Sequence, residues 1–233
     1  MPESAKQHIG IIGGSFDPVH NGHLGLARAA RDTFKLDRVL FVPAGIPPHK
    51  QSQTLTPAHH RLEMLRLALG GEVSFEVSEV ELERGGVSYT IDTLDALQTR
   101  WPDAEWSLIM GADTFLDIET WKQFERVLAV CNLLVASRPG VPLDGMFEDI
   151  EALFSKLPYT YKPSYPDAFK KVYTCAETGR TITLFAIPPQ AVSSTEIRDA
   201  LQRGKPVKKM LPPDVEGYIM AHRLYQAHPH PMS

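Results

Sequence analysis

The sequence predicts an α/β fold: a parallel sheet with helices on both faces and a small C-terminal helical part. Three observations carry this expectation. Short β-branched runs recur at residues 8–13, 38–43, 73–78, 105–110, 132–137 and 181–187. Segments with helical apolar spacing fill most of the intervals, and alternation of this kind builds parallel sheets through crossover connections. A length of 233 residues suits one domain over 1–233, divided into an α/β core at 1–190 and the helical part at 191–227.

Ile9-Gly10-Ile11-Ile12 is short, β-branched and closed by glycines, as a buried strand is, and Leu24, Ala27, Ala30 and Phe34 then repeat along one helical face. Thr56 before Pro57 predicts a cap and a first helical position for the segment carrying Leu62, Leu65 and Leu69. Ile91, Leu94 and Leu97 mark the next helix, and Trp121, Phe124 and Leu128 another. Residues 139–180 break the rhythm. Pro139, Pro142, Pro158, Pro163 and Pro166 punctuate them around one helical stretch near Phe147, Ile150 and Leu153, which predicts an insertion between the last two strands; its role is not legible, and contacts in a homo-oligomer are one use open to it. Ser193-Ser194-Thr195-Glu196 fits a capping box, Gly204 follows the last turn of that helix, and Pro212-Pro213-Asp214 opens a final one through about Tyr225.

Composition narrows the function classes. The apolar fraction of 43% and charged fraction of 22% are those of an ordinary globular chain, and no apolar run approaches the length of a membrane span. The segment from Met1 to Lys6 carries no apolar signal core, so a cytoplasmic location is expected. Cys131 and Cys175 are too few for a disulfide framework. A net charge of -4 argues against a broad nucleic-acid surface while leaving room for a small anion in a locally basic pocket.

The most informative stretch is Gly13-Gly14-Ser15-Phe16-Asp17-Pro18-Val19-His20-Asn21-Gly22-His23, between the first strand and the first helix. Glycines let backbone N–H groups approach a ligand, and the first turn of a helix offers unpaired donors and positive dipole potential, so an anion such as a phosphate is the natural occupant. His20 and His23 add two donors, and Gly22 between them keeps a side chain from crowding the phosphate. The stretch lacks the Lys-Ser/Thr ending of a P-loop, and no G-x-G-x-x-G follows the strand. Two other readings of the histidines stay open: a metal pair, for which the usual third and fourth ligands are missing nearby, and ordinary polar residues at a helix start. At the other end, S-S-T-E-I-R over Ser193 to Arg198 would place hydroxyls and N–H groups at a helix N-terminus with a guanidinium one turn later, either a polyphosphate grip or a plain cap with a surface arginine.

The H-x-G-H spacing resembles that of the nucleotidyltransferase superfamily, whose fold is Rossmann-like, and the S/T-x-x-x-x-R spacing of Ser193 and Arg198 matches its second phosphate element. Pro47-Pro48-His49-Lys50, Ser88-Tyr89-Thr90, Gly111-Ala112-Asp113, Thr120-Trp121 and Arg138-Pro139-Gly140 extend the likeness, over essentially the whole chain, to the bacterial nicotinate mononucleotide adenylyltransferases. The resemblance implies ATP and nicotinate mononucleotide as substrates, and Mg²⁺ held through the ATP phosphates with no protein metal ligand named. It implies catalytic roles for His20, His23 and Arg198. ATP would meet Gly13, Gly14, Ser15, Phe16, Gly22, Gly111, Asp113, Ser193, Ser194 and Thr195. The mononucleotide would meet His49, Lys50, Ser88, Tyr89, Thr90, Trp121 and Arg138. Chemistry leaves a plainer alternative at several of these: core packing for Trp121, helix caps for Tyr89, Thr90 and Asp113, and simple surface exposure for Lys50.

A phosphate monoester is already anionic at neutral pH, so transfer to it needs alignment and charge stabilisation rather than a protein base or nucleophile. The same motifs serve acceptors such as nicotinamide mononucleotide or phosphopantetheine. A non-catalytic nucleotide sensor is the alternative from another class.

Overall fold

The computed structural model describes residues 6–48, 55–137, 147–167, 170–188 and 192–226. One eight-stranded sheet organises them, in the order β3-β2-β1-β4-β5-β8-β7-β6. Its strands are β1 (His8–Gly14), β2 (Arg38–Pro43), β3 (Phe75–Val77), β4 (Glu105–Gly111), β5 (Asn132–Ala136), β6 (Tyr161–Asp167), β7 (Lys170–Cys175) and β8 (Thr181–Phe185). The six expected strands are parallel to their neighbours among themselves, with Ile11 opposite Leu40 on one side and Leu108 on the other.

The sheet is not wholly parallel. β6 and β7 form an antiparallel hairpin that pairs through β7 to β8. The proline-rich 139–180 stretch therefore contains two strands as well as the expected helix. Pro163 and Pro166 are tolerated because β6 is the outer edge, where a missing N–H breaks no interior ladder. Tyr173 of β7 stacks on Phe154 at 4.1 Å between centroids, which fastens the hairpin to the preceding helix.

Nine α-helices are assigned among the described residues: α1 (Asn21–Phe34), α2 (Ala58–Leu69), α3 (Val80–Arg84), α4 (Thr90–Arg100), α5 (Ala112–Leu116), α6 (Phe124–Val130), α7 (Phe147–Phe154), α8 (Ser194–Gln202) and α9 (Pro213–Ala221). Strand alternation divides the apolar residues between two cores. Leu40, Val42, Leu108, Met110, Leu133 and Val135 meet α4, α6 and α7 on one face; Val39, Phe41, Ile109 and Leu134 meet α1, α2, α8 and α9 on the other. Each fully buried aliphatic or aromatic side chain contributes about 1.5–3 kcal/mol.

Local boundaries differ from the sequence expectation in ways the backbone explains. Pro57, at ψ 140, is the cap of α2 rather than its first residue. Trp121 follows a single 3-10 turn over Ile118–Thr120 and stands before α6 instead of opening it. α9 ends at Ala221, and the chain then turns through left-handed residues Arg223 and Tyr225. The strand order reverses between β1 and β4, so a crevice opens beyond their carboxyl ends, where open α/β sheets bind ligands.

Candidate active site

The turn after β1 enters that crevice. Phe16 adopts φ 46, a left-handed conformation uncommon for an aromatic residue, and its ring is buried against Phe41 and edge-on to His23 at 5.0 Å. The ring of this expected ATP contact thus belongs to the core, while Gly13 is exposed and Gly14 and Ser15 are half-buried. Asp17-Pro18 is a cis peptide. His20 caps α1 in extended backbone, and its N–H donates to His23 Nδ1 at 3.2 Å.

The two imidazoles stack at 3.6 Å between centroids with 23° between their planes. Desolvation lowers the His20 pKa to about 4, with the nearby Glu196 charge opposing it; desolvation and then the neighbouring His20 hold His23 well below the usual histidine value. Both rings are neutral at pH 7. Because His23 Nδ1 is an acceptor, its proton sits on Nε2, which gives the crevice an N–H donor. His20 Nδ1 is buried with no hydrogen-bond partner.

Gly22 leaves little room for a side chain on its His20 side. A Cβ on it would lie 3.0 Å from His20 Nδ1 and 3.0 Å from Val192 Cγ1, so a side chain would press on the His20 ring or on Val192.

The Ser193–Arg198 segment reaches the turn after β1. Ser193 caps α8 in a full capping box: its Oγ accepts from Glu196 N–H at 3.2 Å, and its own N–H donates to Glu196 Oε2 at 2.9 Å. Ser194 Oγ donates to Pro18 O at 2.9 Å, and Arg198 donates through Nη1 to Asp17 O at 2.8 Å and through Nη2 to Thr195 Oγ1 at 3.3 Å. Asn21 donates from its backbone to Met210 O at 2.9 Å and from its side chain to Lys209 O at 3.1 Å. His20, His23, Ser193, Ser194, Thr195 and Arg198 are thereby gathered around one loop from opposite ends of the chain.

A second group lies at the same edge of the sheet. Ser88 is buried beside the strand β2 exit: its N–H donates to Ile46 O at 2.9 Å, and its Oγ accepts from Gly45 N–H at 2.9 Å. Tyr89 caps α4 without a side-chain capping bond, and Thr90 is its first residue, so that helix turns its N-terminal N–H groups outward from the Ser88-Tyr89-Thr90 turn. Lys122 lies 4.6 Å from the Tyr89 ring centroid and pairs with Asp92 at 2.9 Å. Trp121 is half-buried and packs with Tyr89 against the same core. Gly111 caps α5, and Asp113 is exposed in its first turn. His49, Lys50 and Arg138 lie outside the described residues.

Asp17 stands in the stretch the sequence singles out, but its buried side chain, and the parts played by Arg61, Glu81 and Tyr225, escaped the sequence patterns. Asp17 and Arg61 are buried, with 4% and 2% of their surface exposed, and Tyr225 donates to Asp17 Oδ1 at 2.5 Å. Arg61 donates to Ser15 O at 2.8 Å and to Thr56 O at 3.0 Å. Buried Glu81 accepts from Thr93 Oγ1 at 2.6 Å; desolvation raises its pKa, opposed by bonds from Thr93 and Ser88 and by the Arg84 charge. Among the described residues, no group of three or more His, Cys, Asp or Glu side chains is placed to hold a metal ion, and no helix is long and apolar enough to cross a membrane.

Neutral and cationic donors lie at the reversal of strand order, where open α/β sheets bind ligands. The family model described as Cytidylyltransferase-like matches residues 11–200. A protein of Citrifermentans bemidjiense named "Probable nicotinate-nucleotide adenylyltransferase" is 40% identical over 217 residues, covering 93% of this chain and 97% of its own. A protein of the same name from Thermoanaerobacter sp. is 39% identical over 219 residues, covering 94% of each. The chain belongs to the cytidylyltransferase-like family and, within it, to the nicotinate-nucleotide adenylyltransferases. A solved structure titled as Plasmodium falciparum nicotinic acid mononucleotide adenylyltransferase complexed with NaAD shares the fold, with a TM-score of 0.69 at 21% identity, covering 94% of this chain and 97% of that one.

Proposed function

We propose that the protein transfers the adenylyl group of ATP to nicotinate mononucleotide, releasing pyrophosphate and forming nicotinate adenine dinucleotide for NAD biosynthesis. The observation that carries this is the docking of Ser194 and Arg198 onto the Asp17-Pro18 backbone beside the stacked His20 and His23. The names of the relatives support the choice of acceptor.

An oxygen of the mononucleotide 5′-phosphate attacks the ATP α-phosphorus in line; that P–O bond forms as the bond to the departing pyrophosphate breaks, with no covalent enzyme intermediate. His23 Nε2–H and His20 meet the growing negative charge, and an anion beside the rings raises their proton affinity, opposing the desolvation that keeps them neutral. Arg198 and the Ser193-Ser194-Thr195 turn hold the pyrophosphate. Gly13, Gly14, Ser15 and Phe16 offer backbone to ATP, with Gly22 beneath His20, and Gly111 and Asp113 take its adenosine part. The α4 N-terminus at Ser88-Tyr89-Thr90 receives the nicotinate carboxylate, Trp121 stacks on the pyridine ring, and His49, Lys50 and Arg138 hold the mononucleotide phosphate.

His20, His23 and Arg198 offer nitrogen donors that suit phosphate oxygens, and Mg²⁺ would be carried mainly on the ATP phosphates and water. Bound there, it neutralises phosphate charge. The core at 1–190 and the helical part at 191–227 act as one unit, because the phosphate site draws on both.

The test is to supply Mg-ATP with nicotinate mononucleotide, nicotinamide mononucleotide or phosphopantetheine in separate reactions and follow pyrophosphate. Release chiefly with the nicotinate form is expected. Preference for another acceptor overturns the pocket assignment, and no release with any of them overturns adenylyl transfer.

A further inference from the structure

The Asp17 side chain lies in the middle of the phosphate loop, yet it points away from the crevice into a buried polar knot. Its Oδ1 accepts from the Tyr225 hydroxyl at 2.5 Å, and its Oδ2 accepts from Thr56 N–H at 3.2 Å. The Arg61 guanidinium stands near enough to interact favourably with Asp17 while donating to Ser15 O and Thr56 O. Three distant segments thus converge: the loop after β1, the entry to α2 and the turn after α9. A buried carboxylate is costly unless its lone pairs are filled, and a short O–H to carboxylate bond is among the strong ones.

The far partner is held under constraint. Tyr225 sits at φ 61, a left-handed conformation that persists in a bulky residue only where surrounding contacts fix it. Its ring packs against the core shared by α1, α2, α8 and α9, which directs the hydroxyl at Asp17. Arg198 grips the backbone carbonyl of Asp17. The side chain and the backbone of Asp17 are therefore both tied to the C-terminal part, three residues before His20.

We propose that Tyr225 is a positioning residue for adenylyl transfer, latching the C-terminal turn to Asp17 so that the Gly14–His20 loop holds its donors at the spacing the reacting phosphate needs. This rests on the reading of the site given above. The hydroxyl touches no substrate; it acts through Asp17.

Tyr225→Phe removes the hydroxyl and keeps the ring. Amide exchange of the substrate-free protein reads the latch directly, and the peptide spanning residues 13–20 exchanges about tenfold faster in the variant while the strand β5 peptide does not change. Turnover falls about tenfold with both KM values within about twofold, because misalignment weakens the transition state more than ground-state binding. Asp17→Asn also lowers turnover, and the double variant is no slower than the slower single one, since both break one unit. Wild-type exchange at 13–20, turnover within about twofold of wild type, or additive losses in the double variant would each overturn the proposal. The exchange arm needs no substrate, so a wild-type chain inactive with every acceptor overturns the adenylyl-transfer reading while the latch is still decided.

Discussion

Acidification from about pH 7.5 to about pH 5 removes stability from this fold through His20, and the size of the loss follows from its burial. In the unfolded chain the imidazole titrates at 6.5, whereas in the fold desolvation brings it to about 4. A depressed histidine pKa means that the unfolded state binds the proton first, so the contribution is complete above 6.5 and is lost as the pH falls toward the folded value. At about pH 5 the unfolded imidazole is protonated roughly thirty to one and the folded one roughly one to ten, a difference of about 2 kcal/mol. Urea unfolding at the two pH values reads the sum over all groups, so the comparison is made with His20→Gln, which removes the His20 titration together with its smaller effect on the stacked His23. The wild type should lose about 2 kcal/mol more than the variant over this interval. Equal losses in the two proteins would refute the argument that His20 is held neutral, and with it the neutral-donor account of the site.

Other perturbations give distinct readouts. Gly22→Ala drives a Cβ against His20 Nδ1 and Val192, and should cost about 1–3 kcal/mol in urea unfolding as well as most of the turnover. His23→Ala removes the Nε2–H donor and should lower kcat by roughly 10² to 10³ with a nearly unchanged circular dichroism spectrum; turnover near wild type would remove its role. Trp121→Ala should raise KM for nicotinate mononucleotide about tenfold or more and leave KM for ATP alone, as two-substrate kinetics can show. Glu81→Gln should keep the Ser88 turn folded and, because the acid's pKa is raised in the fold, abolish the stability that the wild type loses as pH rises through 4.5 toward the folded value.

Much of the site was legible because its signals are local. The β1 to α1 turn, the capping box at Ser193 and the six strand runs each depend on residues a few positions apart, and each stands where spacing placed it. The β6–β7 hairpin was missed because Pro163 and Pro166 read as loop, and only its edge position, a tertiary fact, makes them acceptable in a strand. The burial of Asp17 and the parts of Arg61, Glu81 and Tyr225 are not legible for a related reason. A buried charge on a helix looks in sequence like a solvated one, and the Asp17 to Tyr225 bond spans 208 positions with no periodic trace. The close approach of Gly22 to His20 has no sequence signal, since the ring that a Cβ would meet is placed by the stack of His20 on His23.

The central claim is a single direct displacement at the α-phosphorus, organised by protein donors and requiring no protein nucleophile. It is tested most directly with ATP made chiral at that phosphorus by one sulfur substitution, with the configuration of the dinucleotide product determined. Inversion is the predicted result, since in-line attack by the mononucleotide phosphate turns the centre over once. Retention would require two displacements through an adenylylated enzyme and would contradict the account.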